Sequence, residues 1–296
     1  MQRLWFTKIL SFSFFLDKRK GLLFFVFMLV FFNSGTPAFA EPWNYTPPQR
    51  KAGNLFAYWG WNRAVFTHST ISFSGENYQF TLYKVKASDI PIPFRPNPFL
   101  NPATITIPQY NFRVGIFIKD NWYLSFSDDH MKYKMNQDQT VKMKGYIDQS
   151  GTAYDGIYSG QQVQLTSNFL TFEHTNGLNY LNISTGKYKT LYTPGKKWDI
   201  SAMGGGGMGI LYPKTNTQLL NYRRHDEFHI AGMGVSSEAA ICVTWGNRVF
   251  VQSEIKGGWI FMPDIQTTYG SADRARQQFG FLQGNIVFGV WIPRPW

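Results

Sequence analysis

Residues 249–261 read VFVQSEIKGGWIF, the clearest alternation in the chain. One set of alternate positions is apolar and ends in aromatic residues, whereas the other set carries Glu254 and Lys256 and follows Arg248. A period of two indicates a β-strand whose two faces meet different surroundings. Either the apolar face packs in a protein core while the polar face meets water, or the apolar face meets lipid while the polar face meets a wet lumen.

The beginning of the chain has the pattern of a secretory signal peptide. Basic residues come first, an apolar run spans residues 21–32, and Ala38-Phe39-Ala40 offers a cleavage site before Glu41. The apolar run, about twelve residues, is too short to span a bilayer comfortably. We therefore predict a signal peptide over 1–40, with an uncleaved anchor as the alternative.

The composition favours a barrel wall over a small disulfide-bonded domain. Aromatic residues make up 18% of the chain and charged residues 16%, against about 25% charged in typical proteins. Cys242 is the single cysteine, so no disulfide can form within the chain. The net charge is +11, but the basic residues are scattered, so solvated surface charge is a better explanation than nucleic-acid binding.

Along residues 54–296 the alternation predicts roughly ten strands, with eight or twelve as alternatives. Residues 71–85 are predicted as one strand, and residues 88–108, with six prolines, as a loop. Residues 136–164 are polar and glycine-rich and are predicted as a second long loop. The run Gly204–Gly207 lacks the lysine and helix of a phosphate-binding loop, so we assign it to a strand of the wall.

The pattern also predicts two hairpins with their register. Residues 111–118 and 122–131 place Val114 and Ile116 on the apolar face with Leu124, and Arg113 on the other face. In the second hairpin, matching the apolar faces sets Trp245 opposite Val249, and the polar faces then pair Cys242 with Gln252, Ala240 with Glu254 and Glu238 with Lys256. A slip of one residue would turn the charges toward the apolar side.

With its signal ending at Ala40, its long amphipathic strands and its aromatic terminus Trp296, the chain resembles a bacterial outer-membrane β-barrel protein. Pro293 and Pro295 interrupt the terminal alternation, which is a departure from that class. The resemblance implies an all-β, antiparallel up-and-down transmembrane barrel over 54–296, after a polar lead-in over 41–53. It also implies a Gram-negative outer-membrane location, with the periplasm as the alternative. The implied partners are outer-membrane lipid, lipopolysaccharide, and the export and barrel-assembly machinery.

Some small outer-membrane barrels remove an acyl chain from lipid A, and resemblance to them suggests weak catalytic candidates. Their motif is His-x-Ser-Asn, whereas this chain has His174-Thr175-Asn176, with asparagine at the nucleophile position. Glu173, His174 and Ser184 are the residues available for such chemistry, but their spacing does not match. We therefore assign no catalytic residue and expect the chain not to be an enzyme.

Asp128 and His130 are weak candidates for a metal site. They share a face of a strand, but Asp129 between them points the other way, and two ligands make a poor site. No metal ion or other cofactor is therefore expected.

The stronger candidate is a charge network in the lumen, formed by Arg113, Glu238, Glu254 and Lys256. Charges inside a narrow barrel must pair or stay hydrated, because an isolated buried charge is costly. Pairing would make the network structural; hydration would make it the lining of a pore or a ligand pocket. The function hypotheses are accordingly a non-enzymatic barrel that is structural or binds or passes small solutes, a lipid-modifying hydrolase, and a soluble periplasmic binder.

Overall fold

The computed structural model describes residues 50–270 and 272–294, and strands dominate them. The predicted signal peptide and all but the last residues of the polar lead-in lie outside the described residues, as does Trp296. The described elements, in chain order, are β1 (Leu55–Phe66), β2 (Ser69–Ser74), β3 (Tyr78–Val85), β4 (Ala87–Asp89), the short α1 (Pro96–Phe99), β5 (Tyr110–Lys119), β6 (Trp122–Met135), β7 (Thr140–Ile147), β8 (Gly156–Gln164), β9 (Leu170–Tyr192), β10 (Trp198–Leu219), β11 (His225–Phe228), β12 (Gly232–Trp245), β13 (Val249–Gln266) and β14 (Arg274–Ile292).

Eight antiparallel strands close into a ring. Their order is β1-β5-β6-β9-β10-β12-β13-β14, and β14 pairs with β1 to complete the barrel. Closure leaves no strand edge unpaired around the ring, which is what a sheet in contact with lipid requires. The all-β antiparallel barrel predicted from the alternation is confirmed, and the ring has eight strands, one of the two alternatives to ten.

The ring has fewer than ten strands because residues 71–85 lie in a second sheet and because Leu170–Tyr192 form one continuous strand, β9. We call this second sheet, made of β2, β3, β7 and β8, the outer sheet. Residues 71–85, predicted as one strand of the wall, contribute to two strands, β2 and β3, joined by a turn at residues 75–77. Residues 136–164, predicted as a loop, contain β7 and β8. Here β2 pairs with the first residues of β14, and the sheet continues outward through β3, β7 and β8.

The two ends of the barrel are unlike. At one end, the short-turn end, lie Leu55 and its partner Ile292 together with the turns at residues 120–121, 193–197 and 246–248. At the other, the long-loop end, lie the connections 67–109, 136–169, 220–231 and 267–273. Short turns on the periplasmic side and long loops outside are typical of bacterial outer-membrane barrels.

The polarity of the ring is inverted relative to that of a soluble protein. Apolar side chains cover its outer face; exposed examples are Ile183, Met208, Val235, Ile255, Ile286 and Phe288. Polar side chains line the middle of its inner face, including Asn62, Ser127, Asn182, Gln252 and Gln283. Aromatic residues mark both ends of the outer band, with Trp122, Trp198 and Trp245 toward the short turns and Trp59, Trp61, Tyr212 and Trp259 toward the long loops.

Both predicted hairpins are present, and their predicted registers are confirmed. Ile116 lies opposite Leu124 in the first. In the second, Trp245 lies opposite Val249 and Glu238 opposite Lys256. The alternation alone predicted these registers because the paired residues separate lipid on one face from the lumen on the other. Among the described residues, no helix is long and apolar enough to cross a membrane.

The glycine run lies in β10, as predicted, and at Gly205 the absence of a side chain allows close packing. A Cβ at Gly205 would sit 2.6 Å from the Tyr123 hydroxyl and 2.7 Å from the Thr185 carbonyl oxygen, whereas at Gly204 it would meet nothing within 4 Å. We expect Gly205→Ala to destabilise the barrel by about 1–3 kcal/mol through overpacking. Gly204→Ala is the matched control and should leave the unfolding midpoint in detergent almost unchanged. Equal midpoints for both variants would contradict this close approach.

Candidate functional site

Four charged side chains meet in the middle of the lumen and form what we call the ion cluster: Arg113, Asp129, Glu238 and Lys256. Each is at most 5% exposed. Both terminal nitrogens of Arg113 donate to the Glu238 carboxylate, at 2.6 Å each. Lys256 Nζ lies 2.5 Å from Asp129 Oδ2 and 3.5 Å from Glu238 Oε2. Charge-assisted, bidentate pairs of this kind are the strongest hydrogen bonds that side chains make.

The ion cluster ties opposite walls of the barrel together. In the order of the ring, β5 and β12 are four strands apart, so the Arg113–Glu238 pair crosses the lumen. The same is true of β6 and β13, which carry Asp129 and Lys256. Two ion pairs across an eight-stranded barrel occupy its middle, in keeping with the side-chain-filled interior of small barrels.

Neutral donors and aromatic rings complete the surroundings of these charges. Glu254 accepts from Asn285 at 2.8 Å and from Gln252 at 3.0 Å. The Tyr123 hydroxyl donates to Glu238 at 2.7 Å, and the Arg113 guanidinium lies 5.3 Å from the centre of the Tyr58 ring. Every acid in the lumen centre therefore has donors, as a buried carboxylate requires.

All four residues predicted for the lumen network lie together, and Asp129 joins them. The alternation of the first hairpin already places Asp129 on the same face as Arg113, although the predicted network did not include it. The sequence could not show that Asp129 lies within contact distance of Lys256 across the lumen.

An aromatic plug closes the lumen at the short-turn end. We use this name for Phe56, Phe117, Tyr188, Phe250 and Trp291, all of which are buried. Trp291 stacks on Phe250 with ring centroids 4.1 Å apart and lies within 6 Å of the other three rings.

Arg50, at the end of the predicted polar lead-in, enters the barrel and covers this plug. Its guanidinium lies 5.3 Å from the Tyr188 ring centre and 3.1 Å from the Asp199 carboxylate, and it donates to Ser201 at 2.7 Å. Neither Arg50 nor Asp199 was identified from the sequence. Arg50 precedes the first strand, so no alternation predicts which way its side chain points.

An apolar core fills the barrel interior toward the long-loop end. It forms where the ring strands, at their long-loop ends, pack against β2, β3 and β7. Its buried members include Ile71, Phe73, Phe80, Leu82, Tyr133, Met143, Phe172 and Phe279. The described part of the barrel is therefore filled from end to end, with aromatic rings, then charges, then apolar side chains.

The weak catalytic candidates are not brought together. His174 is buried in the interior, and its two ring nitrogens lie 2.9 Å from Thr215 Oγ1 and 3.0 Å from Gln277 Oε1. Ser184 pairs with Ser125 and lies ten residues further along β9, on the order of 30 Å away. Glu173 faces outward and accepts from Asn216 at 2.8 Å. These positions offer no nucleophile beside a base.

The weak metal candidates are held by other partners. Asp128 accepts from the Tyr110 hydroxyl at 2.7 Å, and His130 Nδ1 lies 2.7 Å from Asn179 Oδ1. The His130 ring also stacks on Tyr110, with centroids 5.0 Å apart. Within residues 50–270 and 272–294, no group of three or more His, Cys, Asp or Glu side chains is placed to hold a metal ion.

No protein-family model and no curated protein sequence matches the chain. Among solved structures, the chain is similar to the outer membrane protein OprG from Pseudomonas aeruginosa, with 9% identity, a TM-score of 0.38, and coverage of 84% of this chain and 100% of that one. It is also similar to Ail, the attachment invasion locus protein of Yersinia pestis, with 8% identity, a TM-score of 0.27, and coverage of 80% and 99%.

The class of the protein follows from its own geometry. A closed antiparallel ring with an apolar outer surface and with charged and polar side chains in the middle of its lumen is the architecture of an outer-membrane β-barrel. The bacterial outer membrane is the location of that class, and the soluble periplasmic alternative does not account for the apolar outer band.

Proposed function

We propose that this protein is a non-enzymatic outer-membrane barrel that acts as a rigid scaffold, presenting its long-loop end to the outside. The observation that supports this is the filled lumen, above all the ion pairs Arg113–Glu238 and Lys256–Asp129 that join opposite walls. A barrel built to pass solutes would keep a water-filled path, as porins do. Of the predicted roles, the structural and ligand-binding ones fit a filled barrel better than solute passage.

The positions of the catalytic candidates support the non-enzymatic part of this proposal. A nucleophile must lie within hydrogen-bond reach of its base. His174 is instead engaged inside the barrel by Thr215 and Gln277, away from the outer wall where lipid would be met. The proposal also includes export by the signal over 1–40, insertion by the barrel-assembly machinery, and outer-membrane lipid and lipopolysaccharide as surroundings.

Conductance in planar bilayers tests the scaffold proposal. We expect the purified barrel to insert without producing discrete current steps, because the ion cluster and the aromatic plug occupy the lumen. A water-filled porin inserted into the same membrane is the positive control. Reproducible steps from the wild-type protein, abolished by heat denaturation, would overturn the scaffold proposal in favour of solute passage.

A further inference from the structure

The proline-rich connection between β4 and β5 folds back onto the outside of the barrel. We call residues 90–108 the outer-wall loop. Phe99 in this loop is buried against Trp61, with ring centroids 5.8 Å apart. Trp61 lies on the outward face of β1 and also contacts Phe288, an exposed residue of the apolar band. The loop therefore lies beside the surface that meets lipid.

The outer-wall loop turns large apolar side chains away from the protein. Phe94 is 67% exposed and Leu100 64%, and Ile90 and Ile107 are exposed as well. Six prolines restrict the backbone of the loop. Exposed apolar residues are ordinary when scattered singly, but here they continue the apolar band of the barrel wall.

The outer-wall loop lies at the level of the aromatic belt near the long-loop end of the barrel. In this belt Trp59 stacks on Tyr110 with ring centroids 4.5 Å apart, and Trp59 is two residues along β1 from Trp61, which contacts the loop. Belts of tryptophan and tyrosine lie where acyl chains give way to headgroups. The outer-wall loop thus sits at the outer boundary of the hydrocarbon.

The charges around the loop suit an anionic headgroup layer. The loop contains Arg95 and no acidic residue, and Asp89, directly before the loop, accepts hydrogen bonds from the Ala64 backbone N–H and from Gln109. Two bases of the barrel wall reach up to it, with Arg63 donating to the carbonyl oxygen of Ile92 at 3.4 Å and Lys132 to that of Ile107 at 3.0 Å. Basic residues beside apolar ones are the usual composition of a segment that lies in a lipid interface.

We propose that the outer-wall loop is a lipid-binding element, which inserts Phe94, Leu100 and Ile107 among the acyl chains of the outer leaflet and holds Arg95 at the level of lipid phosphates. This inference rests on the proposed membrane function and extends it, since the lipid is bound by a loop in addition to the barrel wall. The exposed apolar side chains, the contact with Trp61 and the absence of acids from the loop all point to the same partner.

Site-specific fluorescence in vesicles tests the loop. In a Cys242→Ala background, an environment-sensitive dye is attached to Phe94→Cys, and in a repeat to Leu100→Cys. The vesicles contain phosphatidylcholine and phosphatidylglycerol with a nitroxide on the acyl chain near the headgroup. We expect a blue-shifted emission and loss of most of its intensity to the nitroxide at both positions.

Two control positions separate the possible failures. Val251→Cys lies in the apolar band of the wall and reports whether the barrel itself is embedded. Ile157→Cys, 83% exposed, lies in the outer sheet on the same cross-strand row as Arg274 and should behave as in water. Quenching at 251 with water-like emission at 94 and 100 would overturn the loop proposal alone. No quenching at 251 would overturn the membrane function and the loop proposal with it.

Discussion

Glu238→Ala should lower the free energy of unfolding by about 3–5 kcal/mol, the usual result of removing one partner of a buried ion pair. Arg113 would lose both carboxylate contacts and stay in the lumen without an acid partner at hydrogen-bond distance. Tyr123 would lose its acceptor as well. Thermal unfolding in detergent, followed by the gel shift between folded and unfolded barrels, measures the loss.

A matched double variant distinguishes a stranded charge from a general packing defect. Replacing Arg113 with Met and Glu238 with Leu removes both charges at similar volume, and such replacements are often neutral or stabilising. Lys256 keeps Asp129 as its partner at 2.5 Å. We expect the double variant to recover most of the stability that Glu238→Ala loses. An unchanged melting temperature in the single variant would contradict the pairing across the lumen.

Trp291→Ala should cost a similar amount, about 3–5 kcal/mol, because it empties the centre of the aromatic plug. Trp291 is buried, stacks on Phe250, and donates from Nε1 to Thr244 Oγ1 at 3.1 Å. Alanine would leave a cavity between rings that come from different strands, so collapse cannot fill it. Urea unfolding in detergent, read as the shift in midpoint at constant slope, gives the loss of stability.

Trp198→Ala is the control for this substitution. Trp198 lies at the same end of the barrel, opposite Trp245 on the neighbouring strand, but it faces outward and is exposed. Its removal creates no cavity, so we expect a much smaller change in midpoint than for Trp291. Equal losses in the two variants would mean that the plug is not packed as described.

The alternation of apolar and polar residues was sufficient to predict strands and their register wherever a strand separates two environments. Over the paired residues 233–245 and 249–261 of β12 and β13, side chains alternate between the lipid side and the lumen side, so the alternation correctly predicted Lys256 as the cross-strand neighbour of Glu238. It was insufficient above the membrane, where both faces of β7 and β8 can be polar or apolar without that constraint. The prediction of a loop over residues 136–164 is therefore wrong, because these residues contain two strands of the outer sheet, β7 and β8.

The alternation within single strands cannot predict which side chains touch across the lumen. Arg113 and Glu238 are 125 residues apart, and the sequence could place both inside without indicating that they touch. His174 illustrates the opposite case. The sequence offered it only as a weak catalytic candidate, but β9 continues through this region and carries the His174 side chain into the interior.

By itself, the sequence determined that the strands are amphipathic, which face of each is apolar, and how adjacent hairpin strands align, because a period of two is a local property of the chain. Only the tertiary structure decided that the ring has eight strands and that its lumen is filled. Ring closure depends on which distant strands pair, as β1 does with β5 and β14, and the distance between opposite walls follows from that number. At eight strands the walls are close enough for Arg113 to meet Glu238.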